Sequence, residues 1–98
     1  MQALVSIITV NYKQLQVTCE LLESISKLQY PNLEVILVDN CQEGDDSAIY
    51  QLILPEVKVL NARENLGFAG GNNLGIRAAS GDFLFFVNND TELENGLI

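Results

Sequence analysis

Apolar residues along the chain gather into short runs set between stretches of helical spacing. The runs are VSIITV (5–10), EVILVD (34–39), VKVLNA (57–62) and DFLFFVN (82–88). The first, second and last are almost unbroken in Val, Ile, Leu or Phe, as in strands covered on both faces of a parallel sheet. VKVLNA differs, because Lys58 and Asn61 interrupt it. It is expected to lie at an edge.

The intervening stretches carry a different period. In LQVTCELLESISKL (15–28), Val17, Leu21, Leu22, Ile25 and Leu28 recur on one helical face, with Glu20, Glu23 and Lys27 opposite. Tyr30-Pro31-Asn32 ends that helix, since proline cannot donate and restricts its predecessor. GDDSAIYQLILP (44–55) predicts a second helix with Asp45 or Asp46 as N-cap and Pro55 as its stop. GGNNLGIRAASGD (70–82) predicts a third, rich in glycine at its start and closing at Ser80-Gly81. The order β-α-β-α-β-α-β predicts an α/β fold: a three-layer sandwich around a mostly parallel sheet. Ligands of such sheets bind beyond the carboxyl ends of the strands. Those ends supply Asn11-Tyr12, Asp39-Asn40, Asn61 to Arg63 and Asn88 to Asp90.

Composition narrows the partners. Ninety-eight residues, 48% apolar and 18% charged, fit one folded domain. Thirteen acidic residues against five basic ones give a net charge of -8, which disfavours nucleic acid. A nucleotide remains possible where a divalent cation offsets its phosphates. The lack of histidine removes the commonest general base and zinc ligand. Cys19 and Cys41 match neither a metal spacing nor a disulfide framework and read as reduced thiols. MQALVSIITV is too short in apolar residues, and lacks the basic lead, for a signal peptide or membrane span.

Candidate chemistry follows from the strand ends. VNYKQLQ after the first strand contains no glycine, so no dinucleotide fingerprint starts there, and no phosphate-cradling P-loop occurs anywhere. Asp39 can accept the imide N–H of uracil or thymine, or it can hold a local turn together with Asn40. Gly67, Gly70, Gly71, Asn72 and Asn73 can let a diphosphate or sugar approach the backbone, or can form an ordinary loop before a capped helix. Arg63 is placed to pair with phosphate or to lie on the surface. Asp90 can hold Mg2+ or Mn2+, hard cations that fill their remaining positions with phosphate and water. It can equally cap a helix begun by TELENG.

VSIITVNYK, EVILVDN, ENLGFAGGNNLGI and FLFFVNND, in this order and spacing, resemble the donor half of a family 2 glycosyltransferase of the GT-A fold, close to its rhamnosyltransferase-like branch. The resemblance implies transfer of a sugar from a UDP- or dTDP-type donor, dTDP-rhamnose among them, to an acceptor hydroxyl with inversion. It implies that Thr9, Asn11 and Tyr12 line the base and ribose, and that Asp39 recognises the pyrimidine. Asn65, Gly67 and Gly70 to Asn73 would lie near the diphosphate and ribose. Asn88 and Asn89 would contact the donor beside Asp90, which would hold the divalent cation, Mg2+ or Mn2+. The family's Asp-x-Asp pattern falls on Asn88-Asn89-Asp90, with Asn88 in place of the first Asp.

In the family, a base that deprotonates the acceptor lies in the second half of the domain, and nothing in this sequence matches it. Glu92 and Glu94 read instead as the first turn of a helix. Residues 1–98 therefore read as an amino-terminal nucleotide-sugar-binding part without turnover of its own. A glycan or lipid-linked acceptor belongs to the full-length enzyme, expected in the cytoplasm or peripheral to the cytoplasmic membrane. The alternative is a non-catalytic binding module, or a truncated chain that self-associates through an open sheet edge.

Overall fold

A computed structural model describes residues 3–40 and 44–91. Its elements are β1 (Val5–Asn11), α1 (Leu15–Ser26), β2 (Leu33–Asn40), α2 (Ser47–Ile53), β3 (Lys58–Ala62), α3 (Gly67–Ala78) and β4 (Phe83–Phe86). They form one sheet in the order β3-β2-β1-β4, every pairing parallel. The β-α-β succession and the edge position of β3 agree with the apolar pattern. The register sets Asn11 beside Asp39, and Asp39 beside Asn61.

Side chains alternate between the two faces of the strands. One face carries Ile7, Val35 and Leu37 onto Leu21, Leu22 and Ile25 of α1 and onto Tyr50 and Leu54 of the α2 segment. The other carries Ile8 and Val10 against α3, where Gly75 and Gly71 let the helix settle close. Helices on both faces complete the three layers.

At the amino ends of the strands, Glu34 ties several connections together. Its carboxylate accepts hydrogen bonds from Ser6 Oγ at 2.7 Å, Ser80 N at 2.8 Å, Ser80 Oγ at 2.9 Å and Lys58 Nζ at 2.5 Å. Burial raises its pKa, but the donors of Lys58, Ser80 and Ser6 outweigh that and hold it down at about 2. This node closes the turn from α3 into β4, at the opposite end of the sheet from the carboxyl ends of the strands.

Three features depart from the sequence pattern. First, α3 begins at Gly67, three residues before the expected start at 70. The tip of β2 fixes that start: Asn40 Oδ1 accepts from Leu66 N at 2.9 Å, and Asn40 Nδ2 donates to Gly67 O at 3.1 Å. Gly67 takes a φ of +72°, which glycine adopts without a Cβ clash. Second, β4 is not covered on both faces: Phe83 is 59% exposed and Phe86 49%. Third, Asp46 is the N-cap of α2 as expected, but the capping bond is not its own: Asp45 Oδ1 accepts from Ser47 N at 2.9 Å. Cys41, Glu92 and Glu94, and the helix that Asp90 could cap, lie outside the described residues.

Candidate functional site

Asn11 ends β1 and is buried, and its carboxamide is the centre of the rim. Asn11 Nδ2 donates to Asp39 Oδ1 at 2.9 Å and to Tyr50 Oη at 3.4 Å. Its Oδ1 accepts from Thr18 Oγ1 at 2.7 Å, Gln14 N at 3.2 Å and Asn89 Nδ2 at 3.4 Å. The ends of β1 and β2, the first turn of α1, α2 and the turn after β4 thus meet at one amide.

Asp39 has no exposed surface and takes a second hydrogen bond from Tyr50 Oη, at 3.4 Å on Oδ2. Burial pushes its carboxyl pKa up, opposed by the Asn11 donor and reinforced by Asp46. Each carboxylate oxygen accepts one bond, leaving acceptor capacity for a further N–H. The phenol of Tyr50 is pushed far up by burial and by the neighbouring Asp39 charge, so it stays protonated and able to donate.

The turn after β4 divides the Asn88-Asn89-Asp90 triplet. Asn89 faces inward, donating to Thr18 Oγ1 and Gln14 Oε1 at 3.1 Å as well as to Asn11. Asn88 and Asp90 are exposed. A hollow of about 480 Å3 opens beside Asp90, between this turn and Glu20, Glu23 and Lys27 of α1. Asp39 does not line it. The described residues contain no cluster of three metal-ligating side chains. A single exposed carboxylate suits a hard cation that fills its remaining positions with other oxygen ligands, and would hold a thiolate-seeking metal poorly.

The other expected site residues lie on different elements. Thr9 is wholly buried one pleat below Asn11, and its Oγ1 has no hydrogen-bond partner among the described residues. Tyr12 is 44% exposed, with Lys13 Nζ 5.3 Å from its ring centroid and Lys13 itself at a φ of 55°. Asn65 Oδ1 accepts from Gly67 N at 2.9 Å and so shapes the start of α3. Gly70, Gly71 and Asn72 lie within α3 rather than in a loop. A Cβ on Gly71 would stand 2.9 Å from Val10 Cγ1, so that glycine serves helix–sheet packing.

Tyr50, Thr18 and Gln14 were not singled out by the sequence pattern. Thr18 did carry a signal: it shares the helical face of Leu21, Leu22 and Ile25, where a polar residue needs a partner. Tyr50 carried none, because its hydroxyl meets Asp39 only through the packing of α2.

Residues 6–98 match the model of "Glycosyl transferase family 2". The chain belongs to that family. Among curated relatives, the uncharacterized glycosyltransferase YwdF of Bacillus subtilis is 33% identical over 88 residues, 88% of this chain and 32% of its own length. Glycosyltransferase GlyG of Streptococcus pneumoniae is 29% identical over 101 residues, covering 100% of this chain and 34% of GlyG. The chain therefore spans about a third of the length of these relatives. Of the solved structures, the mannosyltransferase PcManGT of Pyrobaculum calidifontis in complex with GDP-Man and Mn2+ superposes with a TM-score of 0.81 and 26% identity, covering 92% of this chain and 28% of that one. S. aureus TarS 1-349 in complex with UDP-GlcNAc gives a TM-score of 0.79 and 28% identity over 89% of this chain and 26% of TarS. The fold is that of the GT-A glycosyltransferases. Among the described residues, no helix is long and apolar enough to cross a membrane.

Proposed function

We propose that residues 1–98 form the donor-binding part of an inverting glycosyltransferase and hold a pyrimidine nucleoside diphosphate sugar on the carboxyl rim of the sheet. The observation that carries this reading is the bonded path from Asp39 through Asn11 to Asn89, the neighbour of Asp90. That path joins the end of β2, which bears a carboxylate suited to an imide N–H, to the turn that bears Asp90. The UDP-GlcNAc bound to TarS and the GDP-Man and Mn2+ bound to PcManGT support a nucleotide-sugar donor and a cation. Asp39 favours uracil or thymine among the bases, and dTDP-rhamnose is one such donor.

Asp90 would hold the cation, with Asn88 beside it, and a bound Mg2+ or Mn2+ would neutralise charge on the departing diphosphate. Asp39 would orient the base by accepting its imide proton. Tyr12, exposed at the end of β1, would flank the base and ribose. Because Asp39 is closed off in this conformation, binding requires local opening, which lowers the observed affinity. In a single displacement the acceptor hydroxyl forms the new glycosidic bond as the bond to diphosphate breaks, and a base takes its proton. We assign that base to the full-length enzyme rather than to residues 1–98, so this chain binds donor without turnover.

Calorimetric titration of UDP, dTDP and GDP with Mn2+ tests the reading. Binding of UDP or dTDP that needs the metal and exceeds that of GDP is expected. A folded chain that binds none of them overturns the proposal.

The exposed Phe83 and Phe86 on edge strand β4 favour a second reading, self-association through that edge. Sedimentation over a concentration series distinguishes it: a dimer dissolved by Phe86→Lys is expected, and a monomer at every concentration removes it.

A further inference from the structure

The bonding of Asn11 is saturated, and this bears on what the residue can do for a ligand. A carboxamide has two N–H hydrogens and two oxygen lone pairs. Both hydrogens are committed, to Asp39 Oδ1 at 2.9 Å and to Tyr50 Oη at 3.4 Å. The oxygen already takes Thr18 Oγ1, Gln14 N and Asn89 Nδ2, more donors than it has lone pairs. Asn11 as a whole residue is only 2% exposed. The amide orientation is fixed at its other end, because the Gln14 backbone N–H can only donate and therefore requires Oδ1 on its side.

We propose that Asn11 is a positioning residue and makes no side-chain contact with the donor: anchored by Thr18 and Gln14, it aims the Asp39 carboxylate at the base. This rests on the assignment of base recognition to Asp39. The physical argument concerns rotation. A lone carboxylate at a strand end turns about its terminal torsion at little cost. The Asn11 and Tyr50 donors engage one oxygen each and fix the carboxylate plane, leaving one lone pair on each oxygen for a ligand. Asn11 can do this only because its own far end is held by the first turn of α1. Asn89 joins that same end, so the turn bearing Asp90 rests on the anchor that steadies Asp39.

UDP and N3-methyl-UDP, compared by calorimetry in Mn2+, read this arrangement directly. The two nucleotides share their diphosphate and cation contacts, so their affinity ratio isolates the imide N–H that Asp39 accepts. Wild type is expected to favour UDP by roughly tenfold or more, the usual worth of a hydrogen bond to a charged group. Asp39→Ala should bring the ratio close to one. Asn11→Ala should do the same, and adding it to Asp39→Ala should lower the ratio no further. A direct donor contact by Asn11 would instead weaken both nucleotides equally and leave the ratio intact, overturning the inference.

Should Asn11→Ala fail to fold, Thr18→Val and Tyr50→Phe each remove one hydroxyl from the assembly while keeping the side-chain shape. A reduced ratio in both supports the inference, and an unchanged ratio in both overturns it. A wild-type ratio near one, with UDP still bound, would fail differently: it would remove the base-recognition role of Asp39 itself.

Discussion

Gly75 lies over Ile8 so closely that a Cβ on the glycine would stand 2.5 Å from Ile8 Cγ2. Ile8 is fully buried, and its branched side chain is stiff about χ1, so it cannot swing aside. Gly75→Ala would gain roughly 1 kcal/mol in helix propensity, while overpacking costs about 1–3 kcal/mol. A net loss of about 1 kcal/mol in urea unfolding is expected. A gain in stability would show that α3 can lift from β1 without penalty.

Glu34 makes stability depend on acid. Its folded pKa, about 2, lies below its ordinary 4.5. The stabilisation is therefore fully present above about pH 4.5 and is lost as pH falls through the folded value near 2. Its side chain is 9% exposed, so the contribution is on the order of 2–3 kcal/mol. Glu34→Gln should lower the urea midpoint at pH 7 and flatten the decline between pH 5 and pH 2. An unchanged acid profile would remove Glu34 as its cause.

Asp39 carries the opposite sign. Burial raises its folded pKa above the ordinary 3.8, so the folded chain holds that proton to a higher pH than the unfolded chain does. Its contribution to stability accordingly declines as pH rises through the window between those two values. Asp39→Asn should make the fold more resistant to urea at pH 7 and abolish the preference for UDP over N3-methyl-UDP. Loss of stability together with retained preference would contradict both roles.

Asp90 is exposed, so Asp90→Ala should leave the free energy of urea unfolding within about 0.5 kcal/mol of wild type. The same substitution should weaken UDP binding in Mn2+ by roughly tenfold or more and leave binding in chelator unchanged. Calorimetry with and without the metal measures both arms. Equal affinity in Mn2+ for wild type and variant would take the cation away from Asp90.

The strand runs and the apolar face of α1 could be read without coordinates because burial imposes a period on them. VSIITV and EVILVD are continuous because β1 and β2 are central and covered on both faces. DFLFFVN looks the same in sequence, yet Phe83 and Phe86 face outward, since a run of apolar residues does not reveal what packs on it. The glycine-rich ENLGFAGGNNLGI misled in position. Two of its glycines serve close helix packing against Val10 and Ile8, and composition does not separate that use from ligand approach.

By itself the chain's order of apolar and polar residues determined a parallel α/β sheet and the rim to which Asn11, Asp39 and Asp90 come. Such patterns are local, set by the two-residue period of a strand and the 3.6-residue period of a helix. Only the tertiary structure decided that Asn11 turns inward to hold Asp39, and that Tyr50 and Thr18 belong with it. These partners lie 7 to 39 residues from Asn11 along the chain. The hydrogen-bond valence of one buried amide is filled only when all of those segments have packed.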